Sequence, residues 1–229
     1  MTAYPVQLLL FAKAPVPGCV KTRLCPPWTP EQAAAIAAAA IADTVDVLSA
    51  APAIARTLVA DGPLPAPPGW RRRHQRGDGL GERLAAAYAD TALPGVAALL
   101  VGMDTPQLYR GHLVAAAHAL ADAEAVLGPA DDGGWWALGL RDPAAAHVLA
   151  GIPMSTRETG ECTRAAFVGL GLRVAALPVL RDVDTAADAA EVAAACPNGR
   201  FARAVTTMVP AGTRAERTEA DRWSARLTL

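Results

Sequence analysis

The sequence predicts one α/β domain, in which a mostly parallel sheet lies between layers of helices. Its 229 residues are enough for one domain of this class. Short apolar runs bounded by Pro and Gly alternate with helix-like stretches along the chain, as in folds with buried parallel strands. Hydrophobic residues make up 52% of the chain and aromatic residues only 5%, so the apolar excess reflects alanine-rich helices and close packing.

The first half of the chain is predicted to contain four strands and two helices. Residues 6–12 form a nearly continuous apolar run, which indicates a strand buried on both faces. Thr29 is a plausible helix N-cap and Pro30 a first helical residue, so a helix is expected from there to about residue 49. The other elements predicted in this half are strands at 55–60, 70–75 and 96–101 and a helix at 82–91.

The second half continues the alternation and includes one return strand. We expect helices at 110–121, 143–150, 158–170 and 186–195, and strands at 125–128, 135–140 and 172–178. The domain is therefore predicted to span residues 1–198. Residues 199–229 are rich in Arg, Glu and Thr, and either a frayed tail or an added amphipathic helix fits that composition equally well.

Composition excludes several classes of protein. A formal net charge of −1 argues against a dedicated nucleic-acid binder, which would usually be basic. No run of about 18 apolar residues lacks charge or proline, so no membrane span is expected. The N-terminal residues do not resemble a signal peptide, which predicts a cytoplasmic protein. The four cysteines match no metal-binding spacing and are expected to be free thiols.

The loop after the first strand carries the first candidate site. Ligands of open α/β sheets bind at the carboxyl ends of the strands, where this loop must lie. Lys13 and Lys21 are the only lysines of the chain, and Arg23 adds a third cation. Gly18 lets the backbone turn sharply and bring its amides close to a ligand. The composition suits a phosphate chain, although a solvated basic loop explains it about as well.

Two acidic strand ends form the second candidate site. Asp104 follows an apolar strand in GMDTP, where a carboxylate could hold Mg²⁺ or Mn²⁺ that carries substrate phosphates. Capping of a following helix by Asp104 or Thr105 fits the same residues equally well. Near the end of the domain, RDVDT places Asp182 and Asp184 before a helix, and at least one residue there is expected to be a cap.

A third candidate site follows the strand at 125–128. Asp131 and Asp132 precede two glycines, a pattern that suits a loop facing a substrate. Trp135 and Trp136 could line a sugar or base pocket, but core packing is the expected role of at least one of them. A basic loop together with two acidic strand ends is the layout of metal-dependent chemistry on a nucleoside diphosphate or triphosphate.

Five motifs carry a family likeness over about residues 8–195. LLLFAKAPVPGCVKTRL, GDGLGERL, LLVGMDTPQL, GPADDGGWWALGL and RDVDTAADA, in this order, resemble the rSAM/selenodomain-associated transferase family. The resemblance implies a GT-A-like fold of the nucleotide-diphosphosugar transferase superfamily, with three layers and a mixed sheet. It assigns nucleotide and phosphate binding to Lys13, Gly18, Lys21 and Arg23, and Mg²⁺ or Mn²⁺ binding to Asp104 and Asp184.

The same resemblance leads to the expected activity. We expect glycosyl transfer from a nucleoside-diphosphate sugar to a small acceptor, with Asp132 or Asp131 orienting or deprotonating the acceptor hydroxyl. The alternatives are a guanylyltransferase-like nucleotidyltransferase, which joins an NTP to a phosphorylated acid or sugar, and a non-catalytic nucleotide-binding protein. Partners are therefore small molecules rather than nucleic acid. Met103, Cys19 and the tryptophan pair depart from the family pattern and leave the shape of the pocket open.

Overall fold

A seven-stranded mixed sheet forms the centre of the protein, whose computed structural model describes residues 4–208. The strands follow the spatial order β3-β2-β1-β4-β6-β5-β7. All pairs are parallel except those of β6, which runs antiparallel to both β4 and β5. The strands are β1 (Val6–Lys13), β2 (Arg56–Asp61), β3 (Arg71–His74), β4 (Ala97–Gly102), β5 (Ala125–Pro129), β6 (Trp135–Leu140) and β7 (Val174–Ala176).

Helices cover both faces of this sheet, which confirms the predicted fold class. Six α-helices and two 3₁₀ segments are present within residues 4–208. The helices are α1 (Pro30–Ala50), α2 (Leu80–Thr91), α3 (Arg110–Asp122), α4 (Thr159–Gly169), α5 (Ala186–Ala195) and α6 (Arg200–Thr207), and the 3₁₀ segments are Thr22–Leu24 and Pro143–Gly151.

Alternate residues of the central strand supply the two sides of the core. Leu8 and Leu10 of β1 belong to the hydrophobic cluster that includes residues of α1 and α3. Leu9 lies in a second cluster, with side chains of α2, α4 and the Pro143–Gly151 segment. The side chains of a strand alternate between faces, so β1 has to be apolar at nearly every position. This explains the continuous apolar run in the sequence.

Helix α1 begins as the sequence predicts. The Thr29 hydroxyl accepts a hydrogen bond from the backbone N–H of Gln32, and the Gln32 side chain accepts one from Thr29, which completes a capping box. With a mean hydropathy of 1.6, α1 is long and apolar enough to cross a membrane by length and composition alone. Its Ala37 and Ile41 pack into the core below the sheet, and a core helix of a globular domain passes the same test.

Two elements differ from the sequence prediction. The stretch at 143–150 is a 3₁₀ segment rather than an α-helix, and the last strand spans only Val174–Ala176. Helix α6 starts within the predicted tail, and Phe201 packs with residues of α1 and α5 in a third hydrophobic cluster. The rest of that tail, 209–229, lies outside the described residues, and the boundary at residue 198 stays a prediction.

The topology brings five loops to one edge of the sheet. Strands β1 to β5 all run in the same direction, so their carboxyl ends meet there. Because β6 is antiparallel, it starts at this edge, directly after the loop that leaves β5. The segment after β7 returns along the same edge, where Leu180 pairs with Ala130. All three candidate loops of the sequence therefore open on one side of the molecule.

Candidate nucleotide-binding cleft

A cleft of about 720 Å³ lies along this edge of the sheet. Its lining runs from the ends of β2 and β3, past β1 and β4, to the turn before β6 and the start of α4. Of the ten site residues that the sequence selects, seven line it, and six of these are Lys13, Lys21, Arg23, Asp104, Asp132 and Trp135. Asp184 lines it as well, whereas Gly18, Asp131 and Trp136 do not.

Lys21 joins the basic loop to the acidic loops. Its ammonium nitrogen lies 2.6 Å from Oδ1 of Asp104 and donates a hydrogen bond to the carbonyl oxygen of Val183. The Lys21 side chain is only 12% exposed, and its backbone has φ 49°, a left-handed conformation that is uncommon outside glycine. Buried Leu24, in the 3₁₀ turn that follows, anchors this part of the loop in the core. Lys21 is thus an inward-facing cation and not a solvated surface charge.

Gly18 turns the first loop and lies outside the cleft lining. It has φ +73°, which favours glycine, and an added Cβ there would meet no atom within 4 Å. The residue is exposed. Its predicted role in binding the nucleotide stays a prediction, and what the structure shows is that it shapes the turn.

Asp104 does not cap a helix. Helix α3 begins only at Arg110, and Asp104 instead lies in the turn that follows β4. Its backbone carbonyl accepts a hydrogen bond of 2.9 Å from the N–H of Val183, and Gln107 donates one of 2.7 Å to the carbonyl oxygen of Arg181. These contacts bind the GMDTP turn to the late RDVDT segment, so the two acidic strand ends form one structure.

Asp182 belongs to this site, although the family resemblance gives it no role. One of its carboxylate oxygens, Oδ1, is buried and has no hydrogen-bond partner among residues 4–208. Burial, reinforced by the carboxylates of Asp104 and Asp132, raises the pKa of Asp182 to about 7. The RDVDT motif offered Asp182 and Asp184 equally, and only the fold shows which of the two is enclosed.

Asp184 also lines the cleft but is paired with a different partner. Its carboxylate accepts a hydrogen bond from Nη1 of Arg23 in an exposed ion pair. The neighbouring Thr185 caps α5 through a capping box with Asp188, which confirms the expectation of a cap at this position. The assignment of Asp184 as a metal ligand stays a prediction, whereas the carboxylates of Asp104 and Asp132 act on the pKa of Asp182.

A divalent cation fits this group of side chains when a nucleotide supplies further ligands. Within the described part of the chain, no three His, Cys, Asp or Glu side chains form a complete metal cage. Mg²⁺ is commonly held by one or two carboxylates together with substrate phosphates and water. The unpartnered Asp182 oxygen beside Asp104 meets that requirement, because a hard cation would relieve the repulsion between the two carboxylates.

The DDGG turn separates its two aspartates. Asp132 faces the cleft, where its Oδ1 accepts a hydrogen bond of 2.8 Å from the backbone N–H of Gly134. Asp131 lies outside the cleft lining, with Oδ2 at 2.7 Å from Nε of Arg181. The catalytic role of Asp131 stays a prediction, and the ion pair with Arg181 favours Asp132 over it.

The two tryptophans point to opposite faces of β6. Trp135 lines the cleft and donates a hydrogen bond of 3.2 Å to the hydroxyl of Thr163. Trp136 is 1% exposed and donates to the carbonyl oxygen of Pro178 at 3.0 Å. Its indole packs on Gly128, where an added Cβ would lie 2.4 Å from a ring atom. Trp136 is thus a core residue, which corrects its assignment to the substrate pocket.

Two groups of lining residues went unnoticed in the sequence. At one end of the cleft, Nη1 of Arg83 lies 3.2 Å from Oδ2 of Asp61, near Gln75. At the other end, the segment from Met154 to Arg157 forms a wall beside the DDGG turn. The sequence PMSTRE has no motif of its own, because its place in the site depends on how α4 packs.

Three solved structures share this architecture, and two of them were solved with a metal or a nucleotide. A candidate nucleotide-diphospho-sugar transferase from Desulfovibrio desulfuricans G20 is 28% identical, with a TM-score of 0.77 over 84% of this chain and 88% of that one. Rv0371c from Mycobacterium tuberculosis H37Rv, solved with manganese, is 20% identical, with a TM-score of 0.53 over 83% of this chain and 98% of that one. CMP:2-keto-3-deoxy-manno-octonic acid synthetase complexed with CTP is 10% identical, with a TM-score of 0.53 over 84% and 98%.

The last two likenesses show the fold alone. No functionally curated protein matches the sequence. A family model matches residues 34–156, which is more than half of the 229 residues and includes Asp104, Asp132 and Trp135. The first basic loop and the RDVDT segment lie outside the matched range. The chain therefore belongs to DUF2064, a family described as an uncharacterized protein conserved in bacteria.

Proposed function

We propose that the protein is a divalent-metal-dependent transferase that takes a nucleoside-diphosphate sugar and moves the sugar to a small acceptor. The observation that carries this proposal is the junction of Lys21, Asp104 and Asp182, where a cation from the first loop meets carboxylates from two others. Its place at the carboxyl edge of the sheet is where α/β folds bind nucleotides. The similarity to a candidate nucleotide-diphospho-sugar transferase supports it.

On the donor side, the first loop binds the diphosphate. Lys13, Lys21 and Arg23 all line the cleft and supply charge-assisted hydrogen bonds to phosphate oxygens. Asp104 and Asp182 would hold Mg²⁺ or Mn²⁺, with Asp184 as a further ligand if it leaves Arg23. When bound, the cation acts as a Lewis acid that stabilises negative charge on the leaving diphosphate.

On the acceptor side, Asp132 orients the nucleophile. Its carboxylate faces the cleft and can accept the proton of an acceptor hydroxyl. In the transfer, the bond between the sugar C1 and the diphosphate oxygen breaks, and the diphosphate keeps the electron pair. A bond forms between C1 and the acceptor oxygen, whose proton passes to Asp132. The indole of Trp135 lies beside this position and offers an apolar surface to a sugar ring.

Nucleotidyl transfer is the second candidate function. The same cations would hold a triphosphate, and a neighbour of the same fold was solved with CTP. In that reaction a phosphorylated acid or sugar attacks the α-phosphate and pyrophosphate leaves. A link to rSAM/selenodomain proteins and a cytoplasmic location stay predictions of the sequence.

A nucleotide panel followed by product analysis tests the proposal. Thermal shifts are measured with UDP-, GDP- and ADP-sugars and the four NTPs, with and without Mn²⁺, because a ligand that binds the native state stabilises it. We expect metal-dependent stabilisation by a nucleotide sugar and release of a nucleoside diphosphate on turnover. Release of pyrophosphate from an NTP would assign nucleotidyl transfer instead. Binding without turnover would indicate a binding protein, and a panel without any stabilisation would contradict both enzymes.

A further inference from the structure

Most of the cationic side chains that line the cleft form ion pairs. Lys21 pairs with Asp104, Arg23 with Asp184 and Arg83 with Asp61. The side chains of Lys13 and Arg157 form no hydrogen bond or ion pair with any of residues 4–208. Lys13 ends β1, on the side where the donor phosphates are proposed to bind. Arg157 lies at the opposite end, past the DDGG turn, where no donor phosphate is placed.

Close backbone contact fixes the segment that carries Arg157. Gly160 donates a hydrogen bond of 2.8 Å to the carbonyl oxygen of Gly133. A Cβ added at Gly133 would lie 2.1 Å from the carbonyl oxygen of Arg157, and one at Gly160 would lie 2.8 Å from that of Gly134. Only glycine permits this approach, so the turn with Asp132 and the segment with Arg157 are held against each other.

A negatively charged acceptor at this end of the cleft needs a cationic side chain that offsets repulsion by the carboxylate there. Asp132 lies in the lining, and a negatively charged molecule beside it would be repelled. Nearby Glu158 is exposed outside the cleft lining, and Glu161 pairs with Arg164. The guanidinium of Arg157 is therefore available to a ligand, and its planar donor pair matches the two oxygens of a carboxylate or phosphate.

We propose that Arg157 selects an acceptor that carries an oxyanion, either a phosphate or a carboxylate, next to the hydroxyl whose proton Asp132 accepts. The identification of this molecule as the acceptor rests on the proposed function, but the binding of an anion at Arg157 can be tested without it. Arg157, Asp132 and Trp135 all line the cleft, and the Arg157 backbone packs against Gly133 of the turn that carries Asp132. That set would orient a small hydroxylated anion.

A matched series of four compounds tests the proposal. Glycerol, glycerate, glycerol 3-phosphate and 3-phosphoglycerate differ only in the carboxylate and the phosphate, and their affinities are measured by calorimetry. UDP, GDP or ADP with Mn²⁺ is added in parallel titrations to occupy the donor side. The parent is compared with Arg157→Gln, Arg157→Lys and Arg110→Gln, because Arg110 is exposed at the start of α3 and lies outside the cleft lining.

We expect at least one charged compound to bind the parent while glycerol does not. Arg157→Gln should lower its affinity tenfold or more, Arg157→Lys should restore part of it, and Arg110→Gln should leave it unchanged. The preference between glycerate and glycerol 3-phosphate identifies the anion. Equal affinities in the parent and Arg157→Gln, or no binding of any charged compound by the parent, would overturn the proposal.

The two proposals can fail separately. If the parent binds no nucleotide, the proposed function is contradicted, and the three anions still report on Arg157. Nucleotide binding that Arg157→Gln leaves unchanged, together with lost anion binding, supports an acceptor site. A parallel loss of nucleotide affinity in Arg157→Gln would place Arg157 at the donor and overturn the acceptor assignment.

Discussion

The two ends of the cleft are stabilised in different ways. At the donor end, ion pairs between separate loops hold the site together, as Lys21 with Asp104 and Arg23 with Asp184 show. At the acceptor end, the contacts are between backbones, and the glycines at 133 and 160 let the turn with Asp132 pack on the segment with Arg157. The donor end has most of its charges paired, whereas the acceptor end leaves Arg157 unpaired.

This difference suggests what each end has to do. Paired charges at the donor end can exchange partners when a diphosphate and a cation enter, because each side chain finds a new counter-charge. A rigid backbone at the acceptor end fixes Asp132 relative to the bound molecule, and positioning of this kind is a large part of catalysis. Changes at the acceptor end should therefore affect turnover or the fold, and changes at the donor end should affect affinity.

The largest effect is expected at Asp132. Asp132→Asn should lower turnover about 100-fold or more, the range for a lost general base, and leave donor affinity nearly intact. Asp131→Asn is the matched control, since that carboxylate is paired with Arg181 outside the cleft lining. Steady-state rates and donor affinities of both variants provide the measurement. Parent-like turnover of Asp132→Asn would remove this turn from the chemistry.

A glycine of the acceptor end and the glycine that turns the first loop give the next comparison. Gly133 and Gly18 both have positive φ, but only Gly133 would place a Cβ against backbone atoms. Gly133→Ala should lower the free energy of unfolding by about 3 kcal/mol, and Gly18→Ala by about 1 kcal/mol from the left-handed conformation alone. Denaturant titrations of both variants measure this difference. Equal losses of unfolding free energy in the two variants would mean that the backbone around Gly133 can shift to accommodate a Cβ.

Lys21 tests the donor end. Lys21→Ala should weaken nucleotide binding by about 2 kcal/mol, as expected for a lost charge-assisted hydrogen bond. Lys21→Arg should recover only part of this, because a guanidinium does not fit a position shaped for a compact ammonium. Calorimetric titration with the nucleotide found in the panel gives both values. If Lys21→Ala leaves nucleotide affinity unchanged, the first loop is a solvated basic loop and does not bind phosphate.

The smallest effect concerns stability without metal. Asp182→Asn removes a buried charge that lies near Asp104 and Asp132, so the metal-free protein should gain about 1 kcal/mol of unfolding free energy. Asp184→Asn breaks only the exposed pair with Arg23 and should change stability by less than about 1 kcal/mol. Thermal unfolding in EDTA compares the two variants. A destabilised Asp182→Asn protein would mean that its carboxylate is already well satisfied.

Most of the fold follows from sequence patterns, because apolar runs and cap residues act locally. The start of α1 at Pro30 and the span of α5 are predicted to the residue. Adjacent residues of a strand face opposite sides, so Trp135 and Trp136 could not both line one pocket. Which of them faces the core depends on the space above Gly128, and the sequence does not show that space.

The site was harder to predict than the fold, for a different reason. Lys21 and Asp104 stood out because few lysines exist and because strand ends are recognisable. The sequence named Asp182 but could not rank it above Asp184, and Arg157 did not stand out, since an arginine before a helix is an ordinary surface residue. Their importance arises from burial and from missing partners, which depend on contacts between segments far apart in the chain.

Nucleotide titration with and without a divalent cation tests the central claim most directly. The parent and Asp104→Asn are titrated with the stabilising nucleotide in Mn²⁺ and again in EDTA. Asp104 contacts Lys21 of the first loop and is one of the carboxylates proposed to hold the cation. The nucleotide affinity of the parent should therefore fall about 100-fold or more in EDTA. Asp104→Asn should bind weakly in both conditions. Equal affinity of the parent in Mn²⁺ and in EDTA, or an Asp104→Asn variant that retains metal-dependent binding, would contradict the account.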